Sequence, residues 1–228
     1  MQAEPSTFWN NKILQWENEK YFTKQRLLFN YDVNSSVKKR MELARSILKE
    51  IVRGQTVLEL GCGSALLMED ILSFGAKKYI GVDVSSVAIK AANDRILNTE
   101  YESKIELVNK NITEYSPPKA DICFSLGLFD WLSPHEISFL LKKTEATYYF
   151  HSFSEKKKFS FSQFFHRVYV YTKYGHKNHN YIPRYYTERE IVTSLENTTY
   201  FAPRVFRCPA LSFGCIVYNL PQSMEALK

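Results

Sequence analysis

Two acidic residues and two glycines are spaced so that they could bind a ligand. The stretch 57–67 opens with an apolar run that contains Glu59 and ends in Gly61 and Gly63, and Asp83 ends the next apolar run. Glycines permit a tight turn and let a ligand approach the backbone closely. A carboxylate can accept two hydrogen bonds, and an acid within an apolar strand needs a polar partner. The pattern predicts a ligand site at the end of a strand, with a positively charged group beside Glu59.

These residues belong to a chain of alternating apolar runs and amphipathic segments. This alternation predicts an α/β fold: a doubly wound, mostly parallel seven-stranded sheet with helices on both faces. We expect N-terminal helices before it, a C-terminal antiparallel hairpin and an inserted cap after the fifth strand. The predicted strands are 56–60, 79–83, 104–108, 121–126, 147–151, 200–207 and 212–219, and the predicted helices are 7–30, 35–52, 64–74, 86–97 and 134–143, with another after residue 187.

The chain divides into four parts of a single domain. Residues 1–53 form a helical segment that could cover the site, and residues 54–151 form the core that carries the glycines and acids. Residues 152–186 are a basic, aromatic cap. Residues 187–228 supply a helix and the hairpin that complete the core.

Composition and charge limit the partners and the cellular environment that we expect for this chain. The chain has 228 residues, a net charge of +6 and a pI near 9.0, which suit an anionic small substrate, nucleic acid or an anionic membrane surface. We expect no membrane span and no signal peptide, because a run of about 18 apolar residues and a basic, apolar leader are both missing. The four cysteines are scattered, so we expect reduced thiols and a cytoplasmic protein.

The run Glu59-Leu60-Gly61-Cys62-Gly63, followed about twenty residues later by Gly81-Val82-Asp83, resembles the class I S-adenosylmethionine-dependent methyltransferases. The resemblance covers residues 35–150, and the C-terminal hairpin also fits the family. It implies S-adenosyl-L-methionine as the cofactor, S-adenosyl-L-homocysteine as the product, and no metal. A dinucleotide fold is the main competitor, but it is disfavoured because Leu66 stands where a third small residue is expected and Glu59 would repel a diphosphate.

The resemblance also assigns the cofactor contacts. The turn Gly61-Cys62-Gly63 would pack against the methionine part, Asp83 would bind the ribose hydroxyls, and Val84 would contact the adenine ring. Members of the family often have Asp where this chain has Asn111, yet an amide can still accept a hydrogen bond from the adenine amino group. The full predicted set is Glu59, Gly61, Cys62, Gly63, Asp83, Val84, Asn111, Ile112, Ser125 and Leu126.

The acceptor is expected at the carboxyl ends of the strands. His151, at the end of the fifth strand, is the predicted general base because its ordinary pKa is near neutral. Asp130 could orient the acceptor or cap helix 134–143. The predicted acceptor contacts are Tyr31, Trp131, His135, Arg167, Arg184 and Tyr185. His176 and His179 are three residues apart without a second ligand pair, so a metal site is not expected.

The sequence therefore predicts methyl transfer to a small acceptor that is anionic and partly aromatic or sugar-like. O-methylation is favoured over N-methylation, by in-line displacement. Two alternatives stay open at this point. The cap at 152–186 could bind single-stranded RNA through its basic and aromatic residues, or the chain could be a catalytically silent, cofactor-binding partner subunit.

Overall fold

The computed structural model describes residues 4–23, 35–157, 161–171, 181–196, 198, 202–221 and 224–227. Within these residues seven strands form one sheet in the order β3-β2-β1-β4-β5-β7-β6. The first five strands pair in parallel, and β7 pairs antiparallel with both β5 and β6. The strands are β1 (Thr56–Leu60), β2 (Lys78–Asp83), β3 (Ile105–Asn109), β4 (Ala120–Leu126), β5 (Ala146–Ser154), β6 (Arg204–Phe206) and β7 (Gly214–Tyr218).

Helices cover both faces of the sheet, as predicted. They are α1 (Pro5–Glu17), α2 (Ser35–Ile51), α3 (Met68–Ser73), α4 (Ser86–Ile96), α5 (Pro134–Lys143), α6 (Phe161–Val170) and α7 (Glu188–Glu196). The chain continues from α1 as a wider helical turn over Asn18–Phe22. No helix in the described parts of the chain is long and apolar enough to cross a membrane.

Alternation along the strands builds two apolar layers. Val57, Tyr79 and Ile122 face the layer formed with α2, α3 and α4. Their neighbours Leu58 and Ile80 face the layer formed with α5 and α7. Both layers are buried, as a strand between two helical layers requires. The predicted fold class is therefore confirmed.

Several boundaries differ from the predicted ones, and two of the differences have a clear physical reason. The helix predicted from residue 64 begins at Met68, because Gly63 and Ala65 have positive φ angles of +55°, which an α-helix excludes. The fifth strand continues to Ser154, because its last residues pair with β7. The expected start of the cap at residue 152 therefore falls inside a strand.

Candidate functional site

The turn after β1 lines a cleft with its backbone. The amide groups of Gly61 and Cys62 donate to the carbonyl oxygen of Val82 at 2.8 and 3.1 Å. Gly61 and Gly63 have φ angles of +67° and +55°, a region that favours glycine. A Cβ atom on Gly61 would lie 3.0 Å from the Leu128 side chain. This glycine turn (residues 61–67) is thus a cradle that side chains at its two glycines would obstruct.

Glu59 is a buried acid at the edge of this cradle. It is 5% exposed and lines the cleft, and the hydroxyl of Tyr79 donates to its Oε2 atom at 2.5 Å. Burial raises the pKa of Glu59 to about 8, the carboxyl groups of Asp83 and Glu17 act in the same direction, and the hydrogen bond from Tyr79 opposes them. A positively charged ligand would favour the ionised form. The structure thus places Glu59 where the sequence predicts a cationic partner.

Asp83 joins the end of β2 to the glycine turn. Its Oδ2 atom accepts from the amide of Gly63 and its Oδ1 atom from the amide of Ser85, both at 2.8 Å. Burial raises the pKa of Asp83, and these backbone hydrogen bonds oppose the shift. The residue lines the cleft. Its carboxylate is therefore held in a fixed orientation beside the cradle.

Most other predicted cofactor residues line the same cleft. Val84, Asn111, Ile112 and Leu126 are brought together with Asp83 and the glycine turn. The side-chain oxygen of Asn111 accepts from the amide and hydroxyl groups of its neighbour Thr113 at 3.2 and 3.0 Å. Ser125 is different: it is fully buried and does not line the cleft.

The N-terminal helix contributes an acid that the sequence analysis missed. Glu17 is 6% exposed, and its carboxylate accepts from Ser64 through the amide at 2.9 Å and the hydroxyl at 2.6 Å. Burial raises its pKa. The spacing held a usable indication, because Glu17 follows the buried Ile13 by four residues and so shares the buried face of α1.

The cleft continues from the glycine turn to an aromatic wall, which we define as Trp9, Trp16, Trp131 and Tyr181. The cavity has a volume of about 1250 Å³. Ring centroids lie 4.8 Å apart for Trp9 and Trp131 and 5.1 Å apart for Trp131 and Tyr181. Because Trp9 and Trp16 come from α1, this helix forms part of the roof of the cavity. The predicted covering role of the N-terminal segment thus has a structural counterpart, although residues 24–34 lie outside the described part.

The buried carboxylate of Asp130 lines the cavity next to Trp131. The carboxylate of Asp130 accepts from the amide and hydroxyl groups of Ser154 at 2.6 and 2.9 Å, and Arg40 Nη1 lies 3.6 Å from its Oδ2 atom. Burial raises the pKa of Asp130, and Arg40 opposes the shift. Asp130 does not cap α5, since Ser133 and Glu136 form that capping box. Asp130 instead accepts hydrogen bonds from Ser154 at the end of β5 and pairs with Arg40.

Three of the predicted acceptor contacts line the cavity: Trp131, Arg184 and Tyr185. The amide of Arg184 donates to the carbonyl oxygen of Asp130 at 2.5 Å. The hydroxyl of Tyr185 lies 2.6 Å from His166 Nδ1, and His166 also lines the cavity. Burial lowers the pKa of His166 to about 4, so its ring is neutral at pH 7.

Two other predicted contacts lie elsewhere. Arg167 is exposed and stacks its guanidinium 4.9 Å from the centroid of the Tyr185 ring, and it does not line the cavity. His135 is exposed on α5 and stacks against Phe139. Tyr31, His176 and His179 lie outside the described residues.

His151 requires a correction. It was expected on the rim as a base, but it is fully buried and does not line the cavity. Its ring stacks on Phe129 with centroids 4.8 Å apart, and its Nδ1 atom lies 3.0 Å from Ser125 Oγ. Burial lowers its pKa to about 3. His151 is thus a neutral residue of the core and not a residue of the rim.

The fold and the site together define a class. The seven strands are parallel except for a reversed strand next to the sheet edge, and an acid-flanked glycine turn follows the first strand. This arrangement is that of class I S-adenosylmethionine-dependent methyltransferases, as the sequence resemblance implied.

Comparison with known proteins gives the same family. Residues 57–147 match the family model of a methyltransferase domain. A ribosomal protein L11 methyltransferase of Alkaliphilus oremlandii (strain OhILAs) is 33% identical over 82 residues, which are 36% of this chain and 26% of that protein. The chain thus matches only about a quarter of that relative. Residues 57–147 thus match a methyltransferase domain, and the sheet has the fold of the class I S-adenosylmethionine-dependent methyltransferases.

Solved structures share the fold at low identity. Magnesium protoporphyrin IX methyltransferase from Synechocystis PCC 6803 with bound SAH has a TM-score of 0.67 and 14% identity, covering 93% of this chain and 96% of that one. The mitomycin 7-O-methyltransferase MmcR has a TM-score of 0.59 and 13% identity, covering 78% of this chain and 53% of that one. At these identities the likeness concerns the fold alone.

Proposed function

We propose that this chain transfers a methyl group from S-adenosyl-L-methionine to an oxygen atom of a small, anionic, ring-containing acceptor. The observation that carries the proposal is that one continuous cavity of about 1250 Å³ is lined both by the glycine turn with its acids and by the aromatic wall. Ligand sites commonly measure about 300–1,000 Å³. This cavity therefore has room for a nucleoside cofactor and a second molecule beside it.

The donor set at the glycine turn fits the cofactor. Glu59, Asp83 and Glu17 line one region of the cleft, and burial raises the pKa of each. The amino acid part of S-adenosylmethionine carries a sulfonium and an ammonium group, which such acids would stabilise. We assign Asp83 to the ribose hydroxyls, and Val84, Asn111 and Ile112 to the adenine ring.

The aromatic end fits a ring with a negative charge. The aromatic wall offers faces for stacking, and Lys20, Arg40 and Arg184 also line the cavity. Guanidinium groups bind carboxylates and related anions with directional hydrogen bonds. The acidic residues Glu4, Asp130 and Glu136 line the cavity as well, and Asp130 pairs with Arg40, so the charge is mixed rather than uniformly positive.

The burial of His151 bears on which kind of acceptor atom the site can methylate. The cofactor supplies an electrophilic methyl group, and the protein has to align the acceptor and exclude water. With His151 buried and the His166 ring already bonded to Tyr185, an oxygen that is ionised at neutral pH suits the site best. A carboxylate or an acidic phenol needs no base. The fold is shared with proteins named for small acceptors, such as MmcR.

A labelling screen tests the proposal. The purified chain is incubated with methyl-labelled S-adenosylmethionine and separate pools of aromatic carboxylates, phenols, amines, protein and total RNA. We expect label in an aromatic carboxylate or phenol, and its loss in the Asp83→Ala variant. Label confined to RNA would establish the RNA alternative, and label in no pool despite cofactor binding would indicate the silent partner subunit.

A further inference from the structure

Glu17 occupies an unusual place for an acidic residue at the end of a surface helix. Its carboxylate reaches the glycine turn and accepts both the amide and the hydroxyl of Ser64. A Cβ atom on Gly63 would lie 2.3 Å from its Oε1 atom, so the carboxylate lies directly over the glycine. Asp83 binds the amide of Gly63, and thus two carboxylates from different segments bind successive amides of one turn.

Attaching α1 to the turn does not by itself require a negative charge. The carboxyl group is buried, and Asp83 raises its pKa further while Arg95 lowers it. The guanidinium of Arg95 donates to the carbonyl oxygens of Ser64 and Ala65 at 2.8 and 2.9 Å. A buried charge is costly unless it is paired. A neutral Gln side chain could also bond Ser64, so the acid points to a positively charged ligand in the cleft that Glu17 lines.

We infer that Glu17 is a cofactor-binding residue, which supplies from α1 a carboxylate for the positively charged amino acid part of S-adenosylmethionine. The inference rests on the proposed function and deepens it. Glu59 belongs to β1, before the turn, whereas Glu17 belongs to α1 and lies over Gly63, so the two acids reach the cleft from different segments of the chain. Because α1 also carries Trp9 and Trp16, a cofactor held by Glu17 holds part of the aromatic wall in place.

Three probes separate charge recognition from general packing. S-adenosylmethionine carries two cationic groups, a sulfonium and an ammonium; S-adenosylhomocysteine keeps the ammonium group but lacks the sulfonium, and 5′-methylthioadenosine carries neither cation. Calorimetry measures the Kd of each for the wild type, for Glu17→Gln and for the control Glu19→Gln. Glu19 makes the same charge change two residues further on, and its carboxylate accepts from Gln15 without lining the cleft.

We expect Glu17→Gln to weaken S-adenosylmethionine and S-adenosylhomocysteine binding by about tenfold and to leave 5′-methylthioadenosine unchanged. Glu19→Gln should bind all three as the wild type does. Unchanged S-adenosylmethionine affinity, or an equal loss for all three probes, would overturn the inference while leaving the proposed function intact. Failure of the wild type to bind S-adenosylmethionine would instead overturn the proposed function. If Glu17→Gln does not fold, Glu17→Asp is measured in the same way and should show the same selectivity with a smaller loss.

Discussion

The protonation state of Glu59 should change when the cofactor binds. Without a ligand, burial raises its pKa to about 8, so it is mostly protonated at pH 7. A cation beside it favours the carboxylate, so cofactor binding at pH 7 should release about one proton. Affinity should rise with pH and level off above about 8.

This proton release is measurable by calorimetry at pH 7 in two buffers with different ionisation enthalpies. We expect the apparent binding enthalpy to depend on the buffer in the wild type and much less in Glu59→Gln. Equal buffer dependence in both proteins would show that another group supplies the proton.

The face of β5 on which His151 lies explains why this residue is buried. Tyr149, His151 and Phe153 are two residues apart and so share one face of β5, where Tyr149 and Phe153 belong to the core. This alternation was visible in the sequence and indicated burial. We expected His151 on the rim because the predicted strand ended at this residue. Since β5 continues to Ser154, His151 lies inside the strand.

We therefore expect His151→Ala to act on stability. Removing a fully buried ring that stacks on Phe129 should cost about 3 kcal/mol in the free energy of unfolding. The cofactor Kd should stay unchanged. The exposed His135 is the control, and His135→Ala should change stability by less than about 0.5 kcal/mol. Urea unfolding at pH 7.5 measures both variants.

The pH dependence gives a second check on His151. Its folded pKa of about 3 lies below the unfolded value near 6.5, so its neutral form contributes stability above pH 6.5 that is lost as pH falls toward 3. The stability difference between the wild type and His151→Ala should therefore shrink in acid. A constant difference would contradict a buried, neutral ring.

At the scale of elements, α1 is attached to the core by a few polar contacts. The side-chain oxygen of Asn10 accepts from the hydroxyl of Ser85 at 3.0 Å at the start of α4, and Glu17 bonds Ser64 about two turns further along the helix. The sequence predicted a helix here but not its placement. Contacts between Asn10 or Glu17 and residues 47 to 77 positions away leave no periodic pattern in a single sequence.

A matched pair of glycine variants tests this attachment. Gly63 and Gly54 both have positive φ angles, of +55° and +73°, so an alanine at either should cost roughly 1 kcal/mol of backbone strain. Only at Gly63 would the new Cβ atom collide with Glu17, since nothing lies within 4 Å at Gly54. Hydrogen exchange over residues 5–17 should accelerate in Gly63→Ala and not in Gly54→Ala. Equal exchange rates in both variants would show that α1 does not depend on the turn.

At the scale of the whole molecule, the sheet and its two helical layers could be predicted because each unit repeats a local pattern. Glu59 could be placed because it directly precedes the glycine turn, and Asp83 because it ends the next parallel strand, at the same edge of the sheet. The aromatic wall could not, because it combines residues from α1, the loop after β4 and Tyr181, which only the folded chain brings together. The same holds for Arg40, which reaches Ser154 across 114 residues.

An ionic network joins the segment after β5 to the residue that follows β6, and it sets a testable pH dependence. The carboxylate of Glu155 accepts from Arg207 Nη2 at 2.6 Å and also binds Lys157, and Arg207 bonds Glu188 at 2.6 Å. The hydrogen bonds from Arg207 lower the pKa of Glu155 to about 2, against the opposing effect of burial. This depressed folded pKa contributes stability above the unfolded value near 4.5, which is lost as pH falls toward 2.

We therefore expect Glu155→Gln to lower the melting temperature at pH 7 by a few degrees and to lower it by clearly less near pH 3, where part of the contribution has been lost. The shift is modest because Arg207 is partly exposed and solvent screens the pair. The control is Glu42→Gln, which removes an exposed pair with Lys39 and should change little at either pH. Thermal unfolding followed by circular dichroism at both pH values measures the effect. A loss of the same size at pH 3 would mean that Glu155 stabilises the fold through packing rather than through its charge.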